Sequence, residues 1–388
     1  MLRTLQIVGD SRYGGATYLL IEWCRYLTAH GVRVDVLTTD GRTKQALAAV
    51  ADVSIIDAIY IPRDVNLRAD LVALKAVYQL IKAERYDVVH TYTATPGLLG
   101  RVAARLAGVP RILHHQAGWA TDAATGPLGK AFYSLLESAG IYSGTLSICV
   151  GNAIAERRPR WVPATRFVTI CNGIEPPRFE GVSPDRMAAR ARRGIEQNTI
   201  VLGTFGRLSA QKSLDTLIRA IPLIRQTVPA RAIKVLIAGD GPLQAELEAL
   251  ASELGVSGMV TFEGFVENIP EFLDLLDVFV ITSLWEGLSI ALLEAMARAC
   301  PIVATDIPPN AELIQDGVTG LLVPTHNPLA VAESVANLIQ YPSKAQELGL
   351  SAQRIAKAKY GLDHMLDETW RLYVGALRHL KPSDPSRN

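Results

Sequence analysis

The sequence predicts an α/β protein made of two doubly wound parallel-sheet domains, and three observations support this. The chain has 388 residues, more than one ordinary core accommodates, so two domains of about 150–200 residues are expected. Short β-branched strands alternate with amphipathic segments of helical length, which is typical of parallel α/β layering. This rhythm stops near residue 176 and restarts near residue 199, which indicates two separate sheets.

In the first half, the pattern predicts seven strands and four helices. The strands are expected at 4–10, 32–38, 53–57, 87–91, 111–115, 146–150 and 167–171. The helices are expected near 15–30, 68–84, 97–107 and 128–140. Residues 176–198 are rich in proline and arginine and lack strand signals, so they are predicted to connect the domains.

The second half predicts six more strands and a helical C-terminus. The strands are expected at 199–206, 233–241, 259–265, 278–283, 301–305 and 320–324, and the last helix at 360–380. We place the domains at 1–175 and 176–364, followed by the helical segment 365–388. Two such domains are expected to face each other across a cleft, where doubly wound sheets bind ligands at the carboxyl ends of their strands.

Composition narrows the class of protein and its setting. Half of the residues are hydrophobic and a fifth are charged, which is a globular balance. No apolar run reaches the roughly 18–20 residues that span a bilayer, and the N-terminus "MLRTLQIVGDSRYGG" does not match a signal peptide. The four cysteines show no pairing pattern, which favours a reducing compartment. We therefore expect a cytoplasmic protein.

Charge is unevenly distributed along the chain. The net charge is +1, but residues 1–175 hold 19 Lys/Arg against 14 Asp/Glu, a local +5. Nucleic-acid binding would need a more continuous basic stripe, so no nucleic-acid partner is expected. "ERRPRW" (156–161) and the apolar "AFYSLLESAGIY" (131–142) instead suggest peripheral contact with the anionic inner face of the plasma membrane. The alternative is a packed helix with scattered surface charge.

Two glutamates stand out in "LWEGLSIALLEAMARACPIVATD" (284–306). Glu286 follows a predicted strand, and Ser289 is a suitable N-cap for a helix that contains Glu294 and runs to about Ala299. The backbone amides of residues 287–290 would then point out of a helix N-terminus and could bind an anion. The alternative is two solvated glutamates on an exposed face.

Glycine-bearing loops and two cations lie at other predicted strand ends. Arg207 and Lys212, in "GTFGRLSAQKSLDTLIRA" (203–220), could clamp a diphosphate, unless they form a merely solvated basic loop. Gly14 and Gly15 open a helix after the first strand and could approach a phosphate or substrate. "IAGDGP" (237–242) indicates a tight turn at the same sheet edge as Arg207.

Several of these motifs together resemble retaining glycosyltransferases of family four, which have the GT-B fold. The similar stretches are "GRLSAQKSLDTLIRA", "LIAGDGP", "EGLSIALLEAMARACPIVATDIPPNAELIQDGVTGLLVP" and the N-terminal "GG". In the first half, "VVHTYTATPGLLGRVAARLAGVPRIL" (88–113) resembles the subgroup that builds bacterial cell-surface polysaccharides, and "CNGIEPPRF" (171–179) resembles the family's interdomain turn.

The resemblance implies a substrate class and roles for these residues. It implies an acceptor-binding first domain, a donor-binding second domain, and transfer of a hexose or N-acetylhexosamine from a nucleoside-diphosphate sugar, with UDP the favoured nucleotide. The acceptor would be a glycan or polyprenyl-diphosphate-linked hydroxyl. The C-terminal helix 365–388 would pack back onto the first domain. Glu286 would contact the sugar, Arg207 and Lys212 the diphosphate, and Glu294 the ribose. The donor site would be completed by Gly14, Gly15, Val266, Gly287, Leu288, Ser289 and Ile290.

One position departs from the family pattern. Members often carry a histidine before a Gly-aromatic pair in the first domain, but "HHQAGWA" places Ala117 there. His114 and His115 are candidates to supply this group from a shifted loop, and His90 is a further candidate at a predicted strand end. The alternative is that His114 and His115 are strand-end histidines satisfied by their neighbours.

We expect no cofactor and no metal, because no carboxylate or His/Cys cluster has metal-ligand spacing and the cations can neutralise a leaving diphosphate. The resemblance further implies retention by front-face attack. Rival functions are a GT-B nucleotide-sugar epimerase and a non-catalytic two-lobed sugar-binding protein. A nicotinamide oxidoreductase is disfavoured, because G-x-G-x-x-G does not follow a strand.

Overall fold

The fold consists of two compact units, each with its own parallel sheet. A computed structural model describes residues 1–10, 14–62, 65–122, 126–175 and 186–377. The first unit comprises Met1–Asn172 and the residues from Asp363 onward, and the second comprises Gly173–Leu362. Residues 176–185 of the predicted connector lie outside the described ranges, and its remainder, 186–198, includes a short helix at Arg186–Arg192.

Thirteen strands are found among the described residues, seven in the first sheet and six in the second. The first sheet contains β1 (Arg3–Gly9), β2 (Arg33–Thr38), β3 (Val53–Ile56), β4 (Val88–Tyr92), β5 (Arg111–Gln116), β6 (Leu146–Cys149) and β7 (Phe167–Thr169). The second contains β8 (Ile200–Phe205), β9 (Ile233–Ala238), β10 (Val260–Gly264), β11 (Val278–Ile281), β12 (Ile302–Thr305) and β13 (Leu321–Val323).

Helices alternate with these strands up to β13, after which three helices follow one another. In the first half they are α1 (Gly15–Ala29), α2 (Gly41–Ala48), α3 (Leu67–Glu84), α4 (Ala94–Ala107), α5 (Gly126–Ser143) and α6 (Asn152–Glu156). They continue as α7 (Arg186–Arg192), α8 (Leu214–Thr227), α9 (Gln244–Glu253), α10 (Ile269–Leu275), α11 (Ile290–Ala297), α12 (Pro308–Leu313), α13 (Pro328–Gln340), α14 (Pro342–Lys359) and α15 (Leu362–Leu377).

Both sheets have doubly wound topology. The strand orders are β3-β2-β1-β4-β5-β6-β7 and β10-β9-β8-β11-β12-β13, and the strand pairs are parallel. In each sheet the first strand lies beside the fourth, so the order reverses there and the loops at the carboxyl ends diverge. The predicted α/β fold with two parallel sheets is confirmed, and the bounds of every predicted strand differ from the observed ones by at most three residues.

The second unit encloses a continuous apolar core. Buried side chains of α8, α13 and the central strands form it, among them Leu217, Ile221, Val235 and Val335. Several helices begin at polar caps, as at Asn327, whose side chain accepts a hydrogen bond from the Ala330 amide 3.0 Å away. A rigid sheet with capped helices fixes the positions of the loops at its edge.

One face of the first sheet packs against α3 and α4, and the other carries buried polar side chains among its apolar ones. Leu5, Ile7 and Val89 belong to an apolar cluster with buried residues of α3 and α4. The opposite face carries Gln6 and His90, and the buried Tyr373 of α15 covers it. Because this tyrosine hydroxyl contacts both side chains, α15 is anchored to the first unit by hydrogen bonds as well as by packing.

None of the described helices combines the length and the apolar composition needed to cross a lipid bilayer.

Candidate functional site

The candidate site forms at the carboxyl edge of the second sheet, where β8 and β11 are neighbours. Leu202 pairs with Val278 and Gly203 with Phe279, so the loops that leave these two strands emerge side by side. The backbone amide of Leu284 donates to the Gln211 carbonyl at 2.8 Å, which joins the two loops directly. Their residues come from distant parts of the sequence, but the sheet topology brings them together.

Lys212 and Glu286 meet at this junction. Lys212 Nζ lies 2.5 Å from Glu286 Oε1, and the two side chains are only 16% and 8% exposed. The Ser283 hydroxyl donates to the same oxygen at 2.6 Å, and Gln211 Nε2 lies 3.5 Å from Oε2. The carboxylate is therefore buried with its partners, so the alternative of a solvated Glu286 and a solvated Lys212 is wrong.

The lysine backbone is fixed as well as its side chain. The Thr282 hydroxyl lies 2.9 Å from the carbonyl oxygens of both Lys212 and Ser213. Ser213 adopts a positive φ of 42° at the start of α8. Lys212 thus emerges from a tight, hydrogen-bonded turn, and this turn aims its ammonium group at the sheet edge.

Arg207 lies on the same concave surface. This surface is lined by Gly206, Arg207, Lys212, Thr282 and Ser283 together with residues of the adjoining strands. The Nε atom of Arg207 is buried and makes no hydrogen bond to any residue that the structure describes. A buried donor without a partner is costly. The Arg207 Nε–H group is therefore available to donate a hydrogen bond to a ligand bound at this edge.

The glycine turn after β9 supports the arginine loop. An added Cβ at Gly239 would collide with the Gly206 carbonyl, and one at Gly241 would collide with the Leu208 carbonyl. The Leu208 amide donates to the Asp240 carbonyl at 2.9 Å. The glycines of "IAGDGP" therefore let this backbone run close to the arginine loop on both sides of Arg207, and the turn itself lies at the end of the motif, where the Gln244 amide donates to the Gly241 carbonyl at 3.4 Å.

Helix α11 begins at the same edge and buries Glu294. Ser289 is its N-cap, and its hydroxyl accepts from the Leu292 amide at 3.4 Å. Glu294 is buried in the second turn, so the alternative of an exposed glutamate is wrong here too. The helix ends at Ala297, two residues before the predicted end, where Arg298 pairs with the buried Asp274.

The predicted anion-binding amides need one correction. Because α11 starts at Ile290, the residues Gly287 and Leu288 lie in the loop before the cap rather than in the first turn. The first-turn amides belong to residues 290–292, and one of them is already bonded to Ser289. The helix N-terminus therefore lies slightly further along the chain than the pattern 287–290 suggested.

Several polar residues near Glu286 were not singled out by the sequence. The Thr305 hydroxyl donates to the Ser283 carbonyl at 2.5 Å, and Asn310 Nδ2 donates to the Thr305 carbonyl at 2.9 Å. Gln211 holds the loop at the Trp285 carbonyl, 2.9 Å away. These contacts join β11, β12 and α12 around the strand end that carries Glu286. In the sequence, these residues are marked only by their position near strand ends. Polar residues are common at such positions, so this signal could not identify them as part of the site.

The remaining residues of the predicted donor site lie at strand ends in both units. Gly14 is the exposed N-cap of α1, and its carbonyl accepts from the Thr17 and Tyr18 amides at 3.0 and 2.9 Å. Gly15 is the first residue of that helix. Val266 is half-buried, two residues after the end of β10.

The candidate histidines of the first unit lie within strands. His114 is buried in β5, its Nδ1 is 2.9 Å from the Thr91 hydroxyl, and its ring packs against Gly97 of α4. Its pKa is well below the ordinary range, chiefly because of burial. This geometry favours a histidine satisfied by its neighbours. Ala117 is exposed just beyond the strand.

His115 faces the other side of the sheet from His114. Its partner in the register is Tyr92, whose ring centroid lies 5.4 Å from that of the imidazole. Burial lowers the pKa of His115 to about 4. His115 is therefore neutral at neutral pH, and a neutral imidazole can accept a proton or a hydrogen bond.

His90 does not end a strand as expected, since it is the central residue of β4. The Tyr373 hydroxyl, 2.9 Å from His90 Nδ1, also lies 3.2 Å from both Gln6 Nε2 and Trp23 Nε1. Because those two groups can only donate here, the hydroxyl proton is directed at His90. Burial lowers the pKa of His90 well below its ordinary value, which agrees with a neutral ring.

No group of three or more His, Cys, Asp or Glu side chains within the described ranges is arranged to hold a metal ion.

Two family models match the chain. The model for glycosyltransferase family 4 matches residues 13–178, and the model for group 1 glycosyl transferases matches residues 199–341. Together these matches cover most of both units.

Curated relatives match over both halves. An Escherichia coli protein, UDP-Gal:alpha-D-GlcNAc-diphosphoundecaprenol alpha-1,3-galactosyltransferase, is 30% identical over 272 residues, which is 69% of this chain and 70% of that protein. A D-inositol 3-phosphate glycosyltransferase of Thermomonospora curvata is 26% identical over 398 residues, covering 95% and 92% of the two chains.

Solved structures share the fold along nearly the whole length. Anabaena HepE in complex with UDP and glucose superposes with a TM-score of 0.80 at 21% identity, over 97% of this chain and all of that one. WaaG, described as a glycosyltransferase involved in lipopolysaccharide biosynthesis, superposes with a TM-score of 0.79 at 17% identity, over 96% of this chain and 100% of that one. These similarities show a GT-B fold.

Proposed function

The chain belongs to glycosyltransferase family 4, and from that premise we propose that it moves a hexose or N-acetylhexosamine from a nucleoside-diphosphate sugar to a hydroxyl of a glycan or lipid-linked acceptor. UDP is the proposed nucleotide. The Escherichia coli relative is named for a UDP-linked donor and a diphosphoundecaprenol acceptor, and HepE has been crystallised with UDP and glucose. Both names support the proposal by similarity.

The observation that carries the proposal is the placement of Arg207 and Lys212 on one concave edge. A donor diphosphate needs two or more cationic or N–H donors that converge on it. Arg207 offers a buried Nε without a partner among the described residues, and Lys212 offers an ammonium group fixed by Glu286. The arginine can bind as a planar fork and the lysine as a point charge.

Bond cleavage would place its new charge near these cations. As the sugar–phosphate bond breaks, positive charge grows on the ring and negative charge grows on the diphosphate. Preorganised donors aimed at the growing charge lower the barrier most effectively. We propose that Arg207 and Lys212 perform this task and that no metal ion or other cofactor is needed.

Glu286 is proposed to orient the transferred sugar. Its Oε1 already accepts from Lys212 and Ser283 at 2.5 and 2.6 Å, which leaves Oε2 to accept from sugar hydroxyls. We propose that the reaction retains the anomeric configuration by front-face attack, as the resemblance to retaining transferases implies, and that the leaving phosphate takes the acceptor's proton.

Glu294 and Val266 are proposed to bind the nucleoside. Glu294 lies buried in α11, where a carboxylate could accept from both hydroxyls of a ribose. Val266, just beyond β10, is proposed to lie beside the base. The backbone amides of the loop residues 287–289 and of the first turn of α11 are proposed to donate hydrogen bonds to the phosphate and the sugar.

The proposed partners follow from the acceptor. A polyprenyl-diphosphate-linked glycan is held at a membrane, so we propose cell-surface polysaccharide synthesis by an enzyme that works at the inner face of the plasma membrane. The basic and apolar segments of the first half support this contact.

The donor is tested by thermal shift with UDP-, GDP- and ADP-sugars, followed by hydrolysis of the donor that stabilises most. We expect one nucleotide class to raise the Tm, UDP foremost, and slow hydrolysis that retains the anomeric configuration by NMR. The control is Lys344→Ala, which replaces an exposed lysine of α14 and should behave as wild type.

Other outcomes would favour the rival functions. Recovery of an epimerised sugar nucleotide without transfer would indicate an epimerase. Stabilisation by free sugars, with no response to any nucleotide and no turnover, would indicate a sugar-binding protein. Either result would overturn the proposal.

A further inference from the structure

Helix α5 exposes four of its large apolar side chains, whereas two of its three buried residues, Ser138 and Gly140, are small. Leu128, Phe132, Leu135 and Tyr142 are between 47% and 86% exposed. The buried residues of the same helix are Ser138, Gly140 and Ile141. A surface helix of a globular protein normally shows the opposite arrangement, with its apolar face toward the core.

A buried arginine explains why this orientation is fixed. Arg101 of α4 is buried, and its Nε donates to the Gly97 carbonyl at 2.8 Å. An added Cβ at Gly140 would collide with its guanidinium group, so α5 can lie over Arg101 only with a glycine beneath. Burial lowers the pKa of Arg101 to about 10, so it remains charged at neutral pH. The inner face of α5 thus packs against a charged guanidinium group through Gly140. The four exposed apolar side chains lie away from this contact.

The exposed side chains form one continuous row. Their positions, 128, 132, 135 and 142, are four, three and seven residues apart. At about 100° per residue, they fall within a sector of about 80°. A row along about four turns is not a scatter of single exposed residues, which would need no explanation.

Trp161 extends this row. Its indole is 64% exposed, and its Nε1 donates to the Ser138 hydroxyl at 3.0 Å. The Tyr142 hydroxyl donates in turn to the Trp161 carbonyl at 3.2 Å. We call Leu128, Phe132, Leu135, Tyr142 and Trp161 the apolar stripe. Its two aromatic ends are held in place by hydrogen bonds.

Basic residues accompany the apolar stripe. Residues 126–166 contain five Lys/Arg and two Asp/Glu, a net +3 compared with +1 for the whole chain. Arg158 and Arg160 are exposed and form no ion pair with any carboxylate that the structure describes. Arg166 lies over the Tyr142 ring, with its guanidinium carbon 5.7 Å from the centroid.

We propose that the apolar stripe is a docking surface for an anionic lipid bilayer, with α5 lying in the plane of the interface. Large apolar side chains, an amphipathic Trp and neighbouring cations are what such a helix requires. The inference deepens the proposed function and rests on it for the lipid-linked acceptor. A second copy of the chain fits less well, because a two-fold interface would bring the same basic residues of both copies together.

Sedimentation of the full chain with vesicles tests this surface. The vesicles are phosphatidylcholine alone, or phosphatidylcholine with phosphatidylglycerol, at low and high salt. We expect binding to the anionic vesicles that high salt weakens. Leu135→Gln should reduce partitioning roughly tenfold or more, and Arg158→Gln with Arg160→Gln should reduce it by about fivefold per charge.

Matched controls are available on α3. Leu71 of α3 is 67% exposed and Leu135 of α5 is 69% exposed, and both lie within helices. Leu71 is not part of the apolar stripe, so Leu71→Gln should leave partitioning into vesicles unchanged. Lys75→Gln with Lys82→Gln is the control for loss of two exposed charges. Equal losses in the α3 and α5 variants would overturn the proposal, because the effect would then not be local.

Donor hydrolysis without vesicles separates this inference from the proposed function. If the wild-type chain hydrolyses the donor but does not bind anionic vesicles, the proposed docking surface is overturned and the proposed function is not. Vesicle binding without any hydrolysis would leave the surface supported and the proposed transferase overturned. A wild-type dimer that Leu135→Gln converts to a monomer, without lipid binding, would assign the apolar stripe to a second copy and overturn the proposal.

Discussion

The ammonium group of Lys212 lies 2.5 Å from the carboxylate of Glu286, although 74 residues separate them in the sequence. The adjacency of β8 and β11 creates this pair, and Ser283 and Gln211 complete its hydrogen bonds. The pair gives the proposed donor site a fixed cation before any ligand arrives. A preorganised charge of this kind needs no rearrangement at the moment of reaction.

Lys212→Ala is expected to impair turnover much more than ground-state binding of the donor. Negative charge on the diphosphate grows in the transition state, and loss of one preorganised donor costs roughly 10²–10³ in kcat. Steady-state kinetics with the best donor check this, with Lys344→Ala as the exposed control. A Lys212→Ala enzyme with near-wild-type kcat would remove this lysine from the reaction.

The same pair should be visible in stability. Lys212→Met leaves the Glu286 carboxylate buried without its cation, and Glu286→Gln leaves the ammonium group without its anion. Each single variant is expected to lose about 1–3 kcal/mol. The double variant should lose less than the sum, with a coupling energy of about 0.5–3 kcal/mol. Urea denaturation of the four proteins measures this coupling, and additive losses would contradict the pairing.

Activity is expected to survive chelation. The cationic side chains of Arg207 and Lys212 can neutralise the leaving diphosphate in place of a divalent ion. Transfer or donor hydrolysis should therefore be unchanged when EDTA is added and when Mg²⁺ or Mn²⁺ is restored. Loss of activity in EDTA, with recovery on adding either ion, would show that the diphosphate clamp is wrongly assigned.

Acidification should destabilise the first unit through its strand histidines. Burial lowers the pKa of His115 from 6.5 to about 4 and places those of His90 and His114 well below 6.5. The unfolded chain therefore binds more protons than the folded one below pH 6.5, so stability falls as the pH drops from about 6.5 toward 4. The slope is at most about 1.4 kcal/mol per pH unit for each histidine.

Denaturant unfolding at several pH values measures this slope. His115→Gln is expected to reduce it, whereas His364→Gln, which replaces a histidine whose side chain is 70% exposed, should not. A stability that is flat between pH 7 and pH 5 would contradict the neutral, buried state of these rings.

The strands were predictable because parallel strands are buried on both faces. Each is a short β-branched run bounded by glycine, proline or polar residues, as in "IKVLIAGDG" for β9. The start of α11 was placed within one residue by Ser289. These signals are local, so the sequence carries them without knowledge of the tertiary fold.

The contacts between distant segments were not predictable. The sequence marked Lys212 and Glu286 separately, but their pairing depends on the order of strands in the sheet. His90 was expected at a strand end, yet it lies in the middle of β4, where its Nδ1 accepts from the hydroxyl of Tyr373, a residue 283 positions away in the sequence. The helical pattern of α5 was recognised, but a buried Arg101 decides which of its faces points outward.

The most direct test of the donor site compares Glu286→Gln and Glu294→Gln by calorimetric titration with free nucleoside diphosphate and with intact donor. Glu294 is proposed to bind the ribose, where charge-assisted hydrogen bonds contribute about 1.5–3 kcal/mol. Glu294→Gln should therefore weaken both ligands alike, whereas Glu286→Gln should spare the free diphosphate and impair turnover and sugar discrimination. Wild-type affinity of Glu294→Gln for the diphosphate, together with loss of that affinity in Glu286→Gln, would contradict the proposed placement of the donor against α11.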